Sequence, residues 1–293
     1  MFSNVRGQLT ENAPIGIESW FGCGGSADLL FEPADFDDLI NLLSQYPEDE
    51  PLTIIGGMAN TIVRDGGVRG CVIRLGKPFS NIEIEGDTII AGAGALSGSV
   101  AQAAAKAGLG GLEFLSGIPG CIGGAVCMNA GAYGSEVKDV LVQATAVDRA
   151  GTVRTMAPSD LNMSYRHTDL PEGYIITRAV FRGRMEDKDI VRTRLKDIKT
   201  KRQDTQPISE KTGGSTFANP PGHKAWELID RAGCRGLTVG GAQMSEKHCN
   251  FMINMGGATA ADLENLGEEV RRRVREKTGI ELKWEIKRIG DPA

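Results

Sequence analysis

Apolar and polar positions along the first hundred residues switch between strand and helix periods. ADLLFEP (27–33) is an apolar run closed by proline and predicts a strand. In PADFDDLINLLSQYP (33–47) Phe36, Leu39, Ile40, Leu42 and Leu43 recur at helical spacing, with Asp35 and Asp37 near the helix start. PLTIIGG (51–57), VRGCVIRL (68–75) and NIEIEGDTIIAGAG (81–94) predict strands, the last folding back at EGD. LSGSVAQAAAKAG (96–108) predicts a helix of small residues ended by Gly108. Further on, VLVQATAVDRAGTVRTM (140–156) predicts a hairpin turning at Arg149–Gly151, and YIITRAVFRGR (174–184) another strand. EDKDIVRTRLKDIKTKRQDTQP (186–207) is a polar amphipathic helix that stops before Pro207, with a domain boundary in it or just after. The last ninety or so residues carry their own apolar pattern. KAWELIDRAG (224–233) predicts a short helix, KHCNFMINM (247–255) a strand, and TAADLENLGEEVRRRVREKTG (259–279) a long helix capped by Thr259 and ended by Gly279. ELKWEIKRIG (281–290) predicts a closing strand.

Composition excludes several function classes. The chain has 293 residues, 41% hydrophobic and 24% charged, which is ordinary globular material in about two domains. A net charge of −5 provides no basic field, so no nucleic-acid partner is expected. No stretch approaches the roughly 18–20 apolar residues of a membrane span, and MFSNVRGQLTENAPIG holds no apolar leader core. The six cysteines form no C-x-x-C pair and the three histidines are scattered, so no metal site is expected. Small buried thiols and a cytoplasmic location fit this pattern.

Glycine punctuates the pattern where a phosphate could sit. IIGGMANT (54–61) and IIAGAGALSG (89–98) are strand-to-loop transitions, and GIPGCIGGAVCMNAGAYG (117–134) holds six glycines in eighteen residues. Glycine inside an element costs roughly 0.5–1 kcal/mol relative to alanine. Such density implies either turns with positive φ or a ligand lying close to backbone N–H groups. Gly92, Gly94 and Gly98 have the spacing G-x-G-x-x-x-G, which is not the dinucleotide fingerprint, and no G-x-x-x-x-G-K-[ST] occurs.

GLEFLSGIPGCIGGAVCMNAGAYG (111–134) resembles the flavin-binding core of bacterial UDP-N-acetylenolpyruvoylglucosamine reductases. IIGGMANTIVRDGGVRGCVIRL (54–75), SYRHT (164–168), TQPISEKTGGSTFANP (205–220), GAQMSEKHCNFMIN (241–254) and LKWEIKRIG (282–290) follow in that family's order and approximate spacing. The resemblance implies an α+β protein: an FAD-binding domain of the vanillyl-alcohol oxidase type in two subdomains (1–75 and 76–203), then a smaller α+β substrate-binding domain (204–293). The last few residues of the chain would pack back on the first subdomain. It also implies non-covalent FAD, NADPH as hydride source, and reduction of UDP-N-acetylglucosamine enolpyruvate to UDP-N-acetylmuramate for peptidoglycan. The strand 174–184 runs directly into the next helix, which matches the shorter branch that lacks a tyrosine-bearing insertion. A monomer is favoured.

The residues implied as FAD contacts are Gly56, Gly57, Met58, Ala59, Asn60, Ile118, Pro119, Gly120, Cys121, Ile122, Gly123, Gly124, Asn129, Ala130 and Gly131. Arg166 is the electrostatic candidate, because a guanidinium can pair a carboxylate or enolate through two N–H bonds and keeps its proton. Ser215 is the proton-donor candidate, with Gly213 and Gly214 leaving room for substrate to approach. Glu285 matches the family's catalytic glutamate; by its own residues it also reads as one outward charge of an alternating strand, beside Lys283 and Lys287. Tyr165, Asn219, Gln243 and the basic pair Lys201–Arg202 are implied contacts for sugar or diphosphate.

Three positions depart from the family pattern. Ala59 stands where a serine is usual, Ala218 where a lysine is common before the asparagine, and Lys283–Trp284 where Glu-Pro commonly precedes the glutamate. An FAD oxidase of a small alcohol on the same fold is the competing enzyme reading, and a non-catalytic flavin or nucleotide-sugar binder the competing binding reading. No histidine lies in a glycine loop to attach a flavin covalently, which disfavours the oxidase.

Overall fold

Aspartates start the first long helix of the computed structural model, which describes residues 2–293. The Asp35 carboxylate accepts the N–H of Asp38 and caps Phe36–Leu43, whose Leu39, Leu42 and Leu43 are buried. Asp38 is buried as well. Backbone N–H groups of Arg6, Gly7 and Ala34 bond its carboxylate at 2.8, 2.7 and 2.9 Å. Burial pushes its pKa up, but these donors together outweigh burial and hold it below the ordinary aspartate value.

The hairpin at EGD and the hairpin at Arg149–Gly151 both form. They join Ile175–Arg182 in a five-stranded antiparallel sheet. Its order is Val153–Met156, Leu141–Val147, Ile175–Arg182, Thr88–Gly92, Ile82–Glu85. A four-stranded sheet runs Gln8–Ala13, Ala27–Glu32, Val68–Arg74, Leu52–Ile55, the last two parallel with Leu52 opposite Cys71.

The chain forms two compact units built from discontinuous segments. The first holds residues up to Thr10, Leu29–Gly57 and Gly70–Lys201. Its core packs Ile89, Ala91, Ala144, Ala146 and Phe181 with Val100, Ala101 and Ala104 of the helix Ser97–Ala107. The small side chains of that helix suit close packing, and Gly108 ends it at φ +83°.

The second unit holds Glu11–Asp28, Met58–Arg69 and Arg202–Ala293. Leu263, Leu266, Val270 and Val274 line one face of the helix Ala260–Thr278 and pack with Phe217, Leu228, Ile229, Met244, Met252 and Leu282. Thr259 and Asp262 close a capping box at its start, and Gly279 ends it at φ +74°. A three-stranded sheet, Thr238–Val239, Ala242–Met244 and Met252–Asn254, completes the unit.

Two predicted strands shrink. Within 247–255 only Met252–Asn254 is strand. The Ser245 hydroxyl accepts the N–H groups of Lys247 and His248, and Phe251 N–H bonds the His248 carbonyl, so the earlier residues turn instead. Within 281–290 only Lys287–Ile289 is strand, parallel to Thr61–Val63. Among the described residues the only ladder contact before Lys287 is a single bridge from Trp284 to Phe217, so residues 281–286 form no regular strand although Leu282 and Ile286 are buried.

The helix Ala260–Thr278 also makes a pH prediction. Glu269 accepts from Arg272 at 2.8 and 2.9 Å and from Arg273 at 2.7 Å, and these bonds hold its pKa down to about 2. A depressed carboxylate pKa stabilises the fold fully above the unfolded value and loses that contribution as pH falls towards the folded one. The ion pairs are partly exposed and screened by solvent, so Glu269→Gln is expected to cost only about 0.5–1 kcal/mol at pH 7. Urea titrations should show that difference shrinking from about pH 5 and disappearing as pH falls through about 2.

Candidate active site

The glycine run of the first unit folds as a turn, a short helix and a hairpin. Gly120 has φ +91° and its carbonyl accepts the N–H of Ser97 at 3.0 Å. Ile122–Cys127 is a one-and-a-half-turn helix whose first N–H groups, of Ile122 and Gly123, bond the carbonyls of Ala95 and Ala93. Gly131–Ala132 pairs with Ser135–Glu136 across Tyr133 and Gly134, both with positive φ, as a two-residue hairpin turn requires.

Protein packing accounts for three of the six glycines. A Cβ on Gly117 would lie 2.5 Å from the Tyr133 ring, on Gly123 3.0 Å from Ala93, and on Gly131 2.8 Å from Glu136. Gly124 is different: it is helical, and a Cβ there would meet nothing within 4 Å. Gly56 and Gly57 lie beside the run without positive φ. Their nearest Cβ neighbours would be Cys121 at 3.6 Å and Gly120 at 3.3 Å respectively. Cys121 is half-buried, and burial pushes its thiol pKa up, against a smaller pull from the Gly57 N–H.

Arg166 sits at the tip of a tight turn in the same unit. Ser164 and His167 exchange both backbone hydrogen bonds at 3.0 Å, and Arg166 takes φ +56°, a conformation costly for a side-chain-bearing residue. Three bonds tie this turn to the glycine run. Arg166 Nη2 donates to Gly131 O at 3.1 Å, Asn129 Nδ2 donates to Ser164 O at 2.8 Å, and Thr168 Oγ1 donates to Val126 O at 2.8 Å. The Arg166 guanidinium also lies 5.1 Å from the Tyr165 ring centre. Asn129 is fully buried, and its amide also bonds Glu136 Oε2 and the Lys138 N–H. Its side chain therefore serves the fold of this loop. Nothing in the sequence pattern singled out Thr168 or Ser164.

Ser215 and Glu285 belong to the second unit, as do Met58, Ala59 and Asn60. Gly214 N–H bonds Ala59 O at 3.1 Å, while a Cβ on Gly213 would lie 2.7 Å from the Phe21 ring. Gly213 is thus glycine for packing, and not to admit substrate. After half-buried Ser215 the chain is held firmly. Thr216 N–H bonds Asn250 O at 2.7 Å, and Asn250's amide bonds both Phe217 N–H (3.0 Å) and Phe217 O (2.9 Å). Glu285 N–H bonds Thr216 O at 2.9 Å, and Asn60 Nδ2 bonds Glu285 O at 3.1 Å. Ser215 and Glu285 are thereby brought onto hydrogen-bonded neighbouring segments. Residues 281–286 are not a regular strand; Lys283 and Lys287 are exposed there and Glu285 is half-buried.

The weaker candidates are less concentrated. Asn219 Oδ1 accepts the Ala225 N–H at the start of the helix Ala225–Arg231, Gln243 Nε2 reaches Gly236 O at 3.5 Å, and Arg202 Nε donates to Gln206. Among the described residues no group of three or more metal-ligating side chains occurs, and no helix is long and apolar enough to cross a membrane.

Comparison with known proteins covers the chain in two parts and as a whole. Residues 27–157 match the FAD binding domain family, and residues 206–289 match the UDP-N-acetylenolpyruvoylglucosamine reductase C-terminal domain. The UDP-N-acetylenolpyruvoylglucosamine reductases of Paramagnetospirillum magneticum and Azorhizobium caulinodans are each 56% identical over 99% of this chain and 94% of their own lengths. The crystal structure of the corresponding reductase from Thermus caldophilus superimposes with a TM-score of 0.83 at 34% identity, covering 97% of this chain and 99% of the other.

Proposed function

From the premise that this chain belongs to the UDP-N-acetylenolpyruvoylglucosamine reductase family, we propose how its residues carry the family's reaction. The protein is a flavin-dependent oxidoreductase that uses FAD and NADPH to reduce UDP-N-acetylglucosamine enolpyruvate to UDP-N-acetylmuramate for peptidoglycan. The observation that carries this is 56% identity across 99% of the chain. Its fold is an FAD-binding domain of the vanillyl-alcohol oxidase type with a C-terminal α+β domain. We assign residues 1–75 and 76–203 to FAD and 204–293 to the nucleotide sugar, in a cytoplasmic monomer.

The residues present suit FAD. Gly56, Gly57 and Gly124 lack positive φ, and no protein atom forbids a Cβ at Gly56 or Gly124. Glycine at those two positions is explained by a ligand lying against the backbone. Met58 to Asn60, Ile118 to Gly123 and Asn129 to Gly131 are assigned as the further FAD contacts. When bound, FAD supplies two-electron transfer, receiving hydride from NADPH and delivering it to the vinyl carbon.

Hydride addition leaves negative charge on the substrate carboxylate side. Arg166 would stabilise it with a planar guanidinium that is held by its turn before substrate arrives. Ser215 would donate the proton to carbon, and Glu285 would hydrogen-bond the enol. Tyr165, Arg202, Asn219 and Gln243 would contact sugar or diphosphate.

Anaerobic mixing tests the whole reading. NADPH should bleach the bound flavin, and the enolpyruvyl nucleotide should restore its colour. A protein that binds no FAD, or whose reduced flavin ignores that nucleotide, refutes it. The glycine assignment has its own test. Gly124→Val is expected to fold with a melting temperature within about 2 °C of the parent apoprotein yet weaken FAD binding at least about tenfold. Gly117→Ala, which meets Tyr133, should instead lower the melting temperature of the apoprotein.

A further inference from the structure

Trp284 stands immediately before Glu285. Its indole packs against Phe217, with ring centres 5.2 Å apart and planes tilted by 52°. The backbones of Phe217 and Trp284 form an antiparallel bridge, and Ala218 N–H bonds Lys283 O at 3.0 Å. On its other side the indole fills the space that a side chain on Gly267 would need. A Cβ there would lie 2.1 Å from Cη2, which accounts for a buried glycine in the middle of the helix Ala260–Thr278. Trp284 Nε1 donates to Glu268 Oε1 at 2.8 Å, and the Arg288 guanidinium lies 4.7 Å from the ring centre. The ring is thus held from the helix, from Phe217 and from Arg288 of the strand that follows.

Phe217 is two residues after Ser215, and Trp284 is one residue before Glu285. We infer that Trp284 is a positioning residue: wedged between Gly267 and Phe217, it fixes the segment of Ser215 relative to that of Glu285. The inference rests on the proposed roles of those two residues. In the step concerned, hydride is added to the terminal vinyl carbon as the reduced cofactor is oxidised. The Ser215 hydroxyl proton passes to the adjacent carbon, and water reprotonates the serine oxygen. Proton transfer to carbon is sensitive to donor placement.

The test is stopped-flow measurement of the two half-reactions in holoenzyme variants, in water and in deuterium oxide. Trp284→Ala and Gly267→Ala should keep flavin reduction by NADPH within about twofold of the parent. Both should slow reoxidation by the enolpyruvyl nucleotide about 10–100-fold with an enlarged solvent isotope effect. Trp284→Phe keeps the ring stack and should recover to within about threefold of the parent. Independently of turnover, Gly267→Ala should shift tryptophan emission of the apoprotein to the red as the indole leaves its slot. Parental reoxidation in both alanine variants overturns the inference, as does a Phe variant as slow as Trp284→Ala, or loss of both half-reactions together. Ser215→Ala separates the two readings. If it reoxidises at the parental rate, the proton-donor role and this inference fall together. If it is slow while Trp284→Ala is not, only the positioning role falls.

Discussion

Ser215→Ala is expected to leave flavin reduction by NADPH within about twofold of the parent and to slow reoxidation by the enolpyruvyl nucleotide by about 10²–10⁴-fold, the usual worth of a positioned general acid. The split follows from chemistry. Cofactor reduction needs no proton delivered to substrate carbon, whereas completing the second half-reaction does. A serine hydroxyl is a weak acid, so its usefulness depends on placement, and the backbone that follows Ser215 is tightly held. Asn250, Thr216 and Glu285 backbone or amide bonds grip the residues that follow Ser215. The neighbouring Thr216 hydroxyl is no substitute, because its oxygen is sealed from solvent and has no hydrogen-bond partner among the described residues. Reoxidation at the parental rate would show that another group delivers the proton.

Arg166→Lys is expected to lower the rate of reoxidation about 10²–10³-fold, the range found when a preorganised charge-stabilising donor is removed. Its stability should change by less than about 0.5 kcal/mol, since the turn stays intact. Lysine keeps the charge but loses the planar fork that can bond a carboxylate twice and Gly131 at the same time. The turn that carries it is held by Asn129 and Thr168, so the backbone at φ +56° persists in the variant. Steady-state kinetics with thermal melting checks both parts. A loss of activity that tracks a loss of stability would assign Arg166 to the fold instead.

Much of this protein is legible in its sequence for identifiable reasons. Helical periodicity with an aspartate at the start located Phe36–Leu43, and with a threonine at the start and glycine at the end Ala260–Thr278, because caps are local hydrogen bonds between neighbours in the chain. The hairpins at EGD and at Arg149–Gly151 were legible for the same reason. Segments governed by distant contacts were not. Residues 281–286 meet Phe217, Thr216 and Gly267 instead of completing a strand, whereas residues 247–251 turn on a local bond to the Ser245 hydroxyl that their apolar pattern does not reveal.

The glycine run shows the same division within one motif. Its density signalled that ordinary packing volume was missing, yet density alone could not say which glycine serves what. The tertiary structure assigns Gly117, Gly123 and Gly131 to the close approach of Tyr133, Ala93 and Glu136, and Gly120 and Gly134 to backbone turns. That leaves Gly124 free of any protein constraint. Similarly, the motif order identified Arg166, Ser215 and Glu285 as candidates, but the bonds that hold each in place come from residues far away in sequence. By itself the sequence determined residue chemistry, caps, turns and family, all properties of single residues or close neighbours. Only the tertiary structure decided the two discontinuous units, the purpose of each glycine and the slot for Trp284, because these arise where segments dozens or hundreds of residues apart exclude one another's atoms and satisfy one another's hydrogen bonds.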